Sequence, residues 1–266
     1  MMNKRTTALK IVCALMVLAM IPVFAACSAL EVEETTATTK PEVTSLTPQP
    51  ASVNETVAYF NRVMDAVKTG KPAVSPSISK DVSNVACDND KLKAAIPTLK
   101  DLMLKTDAKG SAYGEDATDT FPVKGQAWSS RISGADVRYA SCLVDGDYYQ
   151  IIIRFKDEPE ARALKGVIGN AFDIVDIETV KQEFKKAQAY MTVGDISLLY
   201  TGCLIKCTVE RATDHVTSVT YIKNVDVKTS VTGVGTLEKM GTVPVSFRYN
   251  CTSTYTLDWT DPAAAQ

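Results

Sequence analysis

One histidine, seven cysteines and 31 acidic side chains are what this 266-residue chain offers for chemistry, and their spacing leaves little room for catalysis. His215 lies in "RATDHVT", a run of turn formers between two apolar rows. A Ser-His-Asp or Cys-His site would need that histidine, and a turn tip in water is a poor support for a general base. A single histidine also excludes histidine metal clusters. Asp157 and Glu158 are adjacent acids, but a glycosidase pair is defined by separation in space, which sequence neighbours do not reveal. Asp145-Gly146-Asp147 resembles the start of a calcium loop, yet the further oxygen ligands and the glutamate at the twelfth position are missing, so it reads as a turn. Gly166 and Gly169 stand in "ALKGVIGNAF" with no GxGxxG spacing and no strand–turn–helix around them. No catalytic residue, cofactor or metal is expected.

The N-terminus carries a different kind of chemistry. Lys4, Arg5 and Lys10 precede Ile11 to Ala26, sixteen residues without charge. That is about 24 Å of helix, short for a hydrocarbon core of about 30 Å. The next charges are Glu31, Glu33 and Glu34, so no basic stop-transfer flank follows. A positive start, a short apolar core and small residues at its end read as an export signal, residues 1–26, with an uncleaved anchor helix as the other reading. Phe24-Ala25-Ala26-Cys27 resembles the lipobox of bacterial lipoproteins: an aliphatic residue, two small residues, then cysteine. The departure is Phe24, where leucine is usual. The resemblance implies a diacylglyceryl group on Cys27, cleavage before it, and attachment to the outer face of the cell membrane by acyl chains such as palmitate. Two or three chains anchor firmly, whereas one gives only about 10⁴ M⁻¹. Ordinary signal peptidase cleavage at Ala26-Cys27-Ser28 stays open, and would make the chain secreted.

Residues 27–52 then read as a disordered tether. Ser28 to Ser52 holds six threonines, three prolines and almost no large apolar residue. Such a segment cannot bury enough surface to offset its ordering entropy. Its 25 residues span roughly 25–30 Å on average. Without the first 26 residues the chain has 26 basic against 31 acidic groups, which argues against a nucleic-acid partner.

Residues 53–266 suit a single domain with a real core. Ser52 and Glu55 form a capping box, followed by Val53, Val57, Phe60, Met64 and Val67 at helical spacing. Gly70 is the expected C-cap, with Pro72 beyond. A second amphipathic run from Asp88 or Asn89 places Leu92, Ala95, Ile96, Leu99, Leu102 and Met103 on one stripe, interrupted at Pro97. "VRYASCLVDGDYYQIIIRFK" alternates across its Asp-Gly-Asp turn, a hairpin with Val137, Tyr139, Ser141 and Leu143 on the same side as Tyr149, Ile151, Ile153 and Phe155. "PEARALKGVIGNAFDIVD" reads as helical, and Asp176 caps a further helix with Ile177, Val180, Phe184 and Ala187 inward and Lys181, Lys185 and Lys186 on a solvated face.

From Ser197 onward the chain reads as three long strands with apolar residues at odd positions. Cys203, Ile205, Cys207 and Val209 form one row, Val219, Tyr221, Val225, Val227 and Val231 the next, and Val243 to Trp259 the last. The even positions, such as Thr208, Thr220, Lys228, Arg248 and Thr254, are polar. This is an antiparallel sheet wet on one side, whose other face the helices must cover. The expected fold is α+β: a long-stranded antiparallel sheet, made of a C-terminal three-strand meander plus the central hairpin, with helices packed on one face. Strands of about 12–15 residues exceed the usual five or six, so curl or bulges are expected.

Besides Cys13 and Cys27, the chain has Cys87, Cys142, Cys203, Cys207 and Cys251, an odd number that cannot all pair within one chain. Cys203 and Cys207 on one strand stand about 13 Å apart, too far to bridge or to share a zinc ion. They and Cys251 share the apolar parity and read as small core residues, with one bridge among the five left open.

"FPVKGQAWSSRISGADV", Phe121 to Val137, with the hairpin after it, looks like a segment of secreted lipoproteins of clostridial bacteria that carry no activity to import. Gln126 and Trp128 within it are candidate binding residues, with a satellite core anchor as the plainer role for Trp128. Three functional readings follow. The first is a tethered binding module holding a small apolar ligand between sheet and helices. The second is a structural or adhesive envelope domain that presents the Thr-rich face to cell-wall components. The third is a carboxylate hydrolase.

Overall fold

The alternation that fills the C-terminal third is realised as an open antiparallel sheet. The computed structural model describes residues 46–99, 109–123, 131–185 and 188–263. Its strands are β1 (Ala73–Cys87), β2 (Val137–Asp145), β3 (Tyr148–Phe155), β4 (Glu158–Pro159), β5 (Met191–Val193), β6 (Ser197–Tyr200), β7 (Leu204–Glu210), β8 (Val216–Gly233) and β9 (Thr242–Asp258). They form one nine-stranded sheet among the described residues, with main path β1-β9-β8-β7-β3-β2. Helices are few: α1 (Val53–Gly70), α2 (Asp90–Ala95) and α3 (Ile177–Lys185), with short 3-10 turns between strands. The chain is sheet-rich rather than evenly α+β.

β8 organises the sheet. One of its edges pairs with β9 from Ser218↔Thr256 to Thr232↔Thr242. The other is covered in sequence by β7, β6 and β5. The expected meander is therefore two long strands and one that breaks. Between β6 and β7 the chain passes Thr201-Gly202-Cys203, with Gly202 at φ +64, a conformation glycine adopts without strain. Cys203 lies in that break rather than on one strand with Cys207, and its thiol donates to the Asn224 oxygen over 3.6 Å. The expected irregularities are present as register shifts in the β1–β9, β2–β3 and β7–β8 ladders.

β1 has no counterpart in the expected elements. Four serines, Lys80 and Asp81 dilute the apolar residues of "AVSPSISKDVSNVAC", and Pro76 weakens it as a strand signal. Yet Val74, Pro76, Ile78, Lys80 and Val82 alternate against their neighbours in burial, and the strand is an edge, where a missing N–H is tolerated.

The bulge in β2 reverses the parity read from sequence. The register slips between Val137 and Tyr139. Beyond that point Ala140 and Cys142 turn into the core, while Tyr139 is 52% and Leu143 58% exposed. One inserted residue moves every later side chain to the other face. β3 keeps the expected parity, with Tyr149, Ile151, Ile153 and Phe155 buried.

α1 starts as its capping box requires: Ser52 Oγ accepts from Glu55 N, and Glu55 Oε2 accepts from Ser52 N. It ends one residue later than expected, on Lys71 at φ 47. Gly70 is helical, and a Cβ there would run into the Trp259 ring. α2 is short and passes into a 3-10 turn, Ile96–Leu99, at Pro97. The stretch around 160–176, expected as helix, is a series of turns anchored by buried Ile168, Ala171 and Phe172. Leu164 and Gly166 are left-handed there, which a helix cannot carry. Leu102, Met103 and Ala187 lie outside the described residues.

One core joins Phe60 and Met64 of α1 to Ile153 of β3, Tyr221 of β8 and Tyr249 of β9. Two residues assigned to the tether are bonded to it: Thr47 Oγ1 donates to Asp214 (2.6 Å), and Gln49 Nε2 to the Cys142 oxygen (2.7 Å).

Candidate functional site

Short β-branched residues near one end of the β8 and β9 rows leave room that the aromatic residues further along do not. Val227, Val231 and Val245 stand there, beside Phe247. Ile96, after α2, and Ile177 and Val180 of α3 face the same space. The result is a cavity of about 140 Å³ whose lining is almost wholly apolar. Thr229 is the single polar type in that lining, and its hydroxyl donates to the Gly194 oxygen (3.3 Å). An apolar void of this size stays dry and accepts a guest such as benzene.

One wall of the cavity hangs from two buried polar side chains of the sheet. Val175, in the lining, has its N–H bonded to Tyr200 Oη (2.8 Å). Two residues earlier, the Asp173 carbonyl accepts from Lys223 Nζ (2.5 Å). Lys223 is only 4% exposed. Burial holds its ammonium below the ordinary lysine value, with the Lys80 charge adding to the effect and Cys251, Asp173 and Cys203 opposing it. Lys223 stands opposite Cys251, whose other neighbour in register is Lys80. Phe172, Ser253 and Tyr255 help to enclose a void of about 20 Å³ at the amine, room for about one water. Sequence reasoning missed this spot. Lys223 and Ser253 interrupt the odd-numbered apolar rows, and a polar residue at inward parity was the available signal.

At β5 the lining of the cavity is shared with a second concavity. Met191 and Val193 line both the cavity and a groove of about 460 Å³ outside it. Lys181, Lys185, Gln188 and Asp195 border that groove. Lys181 is paired with Glu178 (3.2 Å). The lysine face expected to be merely solvated is thus placed beside that shared apolar lining.

The other residues singled out in the sequence are scattered. His215 stacks on Trp259, centroids 3.9 Å apart and rings 6° from parallel, and Trp259 Nε1 donates to the Val216 oxygen (2.8 Å). Next to it, Asp214 accepts from Thr47, Tyr59 and Arg62. Asp157 pairs with Arg138 (3.4 Å), while Glu158 accepts from Ile168 N (2.5 Å), so the two acids face separate partners. Gly146 takes φ +57 in the two-residue turn between β2 and β3. All five cysteines from Cys87 onward are free thiols, and all but half-buried Cys87 are buried. Burial pushes the Cys142 and Cys203 thiols up to about 11, and Cys207 higher. Cys27, Gln126, Trp128 and Lys186 lie outside the described residues.

Among the described residues no group of three or more His, Cys, Asp or Glu side chains is placed to hold a metal ion, and no helix is long and apolar enough to cross a membrane. No protein-family model matches the chain, and neither a curated protein nor a solved structure matches it.

Proposed function

We propose that the chain is a membrane-anchored extracytoplasmic lipoprotein whose domain binds a small apolar ligand, or the apolar part of a larger one, in the cavity between β8, β9, α2 and α3. In this reading α2 and α3 lie on the apolar face of the sheet. The observation that carries it is the cavity itself, about 140 Å³ with an apolar lining that includes Met191 and Val193 of β5. An apolar guest gains the dispersion contacts that the lining lacks while the space is empty. The anchor rests on the lipobox-like Phe24-Ala25-Ala26-Cys27 and the Thr- and Pro-rich stretch after it.

The adhesive reading ranks second. Polar groups of the outward face are engaged with one another: Thr220 with Thr254 (3.0 Å), Thr232 with Thr242 (2.9 Å), and Arg248 with Asp226 (2.6 Å). That leaves less hydrogen-bonding capacity for a glycan.

Two measurements test the proposal. Native mass spectrometry on the chain expressed from Ser28, purified gently, should show a discrete extra mass that denaturation removes. A bare monomer that also takes up neither benzene nor octanoate in thermal-shift titrations would sink the cavity reading. The full chain, produced in a bacterial host, should carry diacylglyceryl on Cys27 and sediment with membranes. Cys27→Ser should release it to the soluble fraction, and an unmodified Cys27 would refute the anchor.

A further inference from the structure

Met191 and Val193 of the cavity lining belong to β5, which among the described residues is paired along one edge only. Tyr190 O accepts from Val234 N and Gly194 N donates to Ser230 O, each over 2.9 Å, so residues 190 and 194 point at β8. Backbone direction alternates along a strand, which turns the N–H and C=O groups of Met191 and Val193 away from β8. Among the described residues β5 pairs with no other strand, and those groups have no hydrogen-bond partner. The groove beside them touches Met191, Thr192, Val193, Gly194 and Asp195 in succession. Side chains of successive residues lie on opposite faces, so a groove bordered by all five follows the edge and not a face. Met-Thr-Val-Gly contains neither the proline nor the charge that blocks an edge.

We infer that β5 is a docking edge for an extended peptide segment of another protein, which adds as a strand beside Met191–Val193 and places one apolar side chain in the cavity. The inference rests on the cavity reading above and names its ligand class. Strand addition uses main-chain bonds for affinity and a side-chain pocket for specificity, and both meet at Met191 and Val193. A hydrocarbon ligand would fill the void and leave the backbone groups of Met191 and Val193 to water, whereas an added strand engages both. A cavity that accepts benzene accepts a phenylalanine or leucine side chain. Lys185 has no acidic partner among the described residues, so an acidic residue on the peptide near the C-terminus of α3 is favoured. Asp195, at the far end of the groove, disfavours one there.

The test uses the chain expressed from Ser28 and fluorescein-labelled hexapeptide libraries with phenylalanine, leucine or alanine fixed at the third position. Octanoate is titrated in parallel. Expected are capture of phenylalanine or leucine peptides, at least about tenfold weaker capture of alanine peptides, and new hydrogen-exchange protection at Met191 and Val193. N-methylation of the bound peptide should weaken it about 3- to 10-fold per lost bond at every second amide only. Octanoate uptake with no peptide captured up to about 1 mM overturns strand addition and leaves the cavity reading intact. Peptide binding indifferent to N-methylation also overturns it. If neither probe binds, both readings fall together.

Discussion

Lys223 reaches from the apolar row of β8 to the Asp173 carbonyl across 2.5 Å, and so fixes the chain two residues before Val175 in the cavity wall. The bond joins the sheet to an irregular segment, as the bond from Val175 N to Tyr200 Oη does two residues later. It also buries an amine in surroundings that disfavour its charge.

That burial has a pH signature. The folded value of Lys223 is held below the ordinary 10.5, so between the two values the unfolded chain binds more protons than the folded one. Stability contributed by this site therefore rises with pH through that window and is lowest beneath it. Lys223→Met removes the titration along with the hydrogen bond, which contributes about 0.5–1.5 kcal/mol. Urea unfolding of both proteins at about pH 7 and pH 9.5 should show the wild type gaining on the variant at the higher pH. A constant difference would show that Lys223 does not titrate differently in the fold.

Filling the cavity should separate its cost from its use. Val180→Phe introduces a ring from α3 into the void. A fitted ring should stabilise by about 0.5–2 kcal/mol, as cavity-filling changes commonly do. Octanoate affinity should fall at least about tenfold at the same time. Unchanged uptake in a folded variant would place the binding elsewhere.

Asp214 should act as the clip for residues 46–51. Burial alone would raise its carboxyl, but hydrogen bonds from Thr47, Tyr59 and Arg62 outweigh burial and hold it below 3.8. Its contribution is present above that value and lost as pH falls through the folded value. The Arg62 guanidinium is largely exposed, so screening trims the ionic part. Asp214→Asn should cost about 0.5–1.5 kcal/mol near pH 6 and progressively less below about pH 3.8. Limited proteolysis should then cut before Ser52 sooner than in the wild type. Equal cleavage rates would mean that Thr47 and Gln49 are held by other contacts.

The cysteines should label in order of burial. With a thiol reagent at about pH 8, Cys87 should react at least about tenfold faster than Cys142, Cys203 or Cys207, whose burial disfavours the thiolate. Labelling of Cys207 at the Cys87 rate would indicate an open core.

Legibility differed by element for physical reasons. The β8 and β9 rows were plain because period-2 alternation ran for 18 and 17 residues, long enough to survive single polar interruptions. Those interruptions, Lys223 and Ser253, were then passed over as noise, although two polar residues at inward parity in neighbouring strands mark a polar spot in a core. Tyr139 and Leu143 were assigned to the wrong face because a bulge has no composition of its own. β1 was hidden by its serines and Pro76, which an edge strand tolerates. Gly70 looks like a cap because glycine usually ends helices, but its missing Cβ answers to Trp259, 189 residues further along the chain. The cavity was anticipated only as a slot between sheet and helices. Its position depended on where valines rather than tyrosines fell across from α2 and α3, and its open edge on a three-residue strand too short to leave a signal.

The pairing of Ala73 with Asp258 sets an order on how the protein can be made. Among the described strands, the first to leave the ribosome takes its one long partner from the last. Until β9 is complete, β1 carries a row of unmatched backbone groups and α1 lacks Trp259 against Gly70. Contacts of such sequence separation form slowly, because the loop must close before it is rewarded. The sheet stays unfinished until β9 is made. Under the export proposed above, that delay keeps the chain extended during passage, with folding completed on the far side.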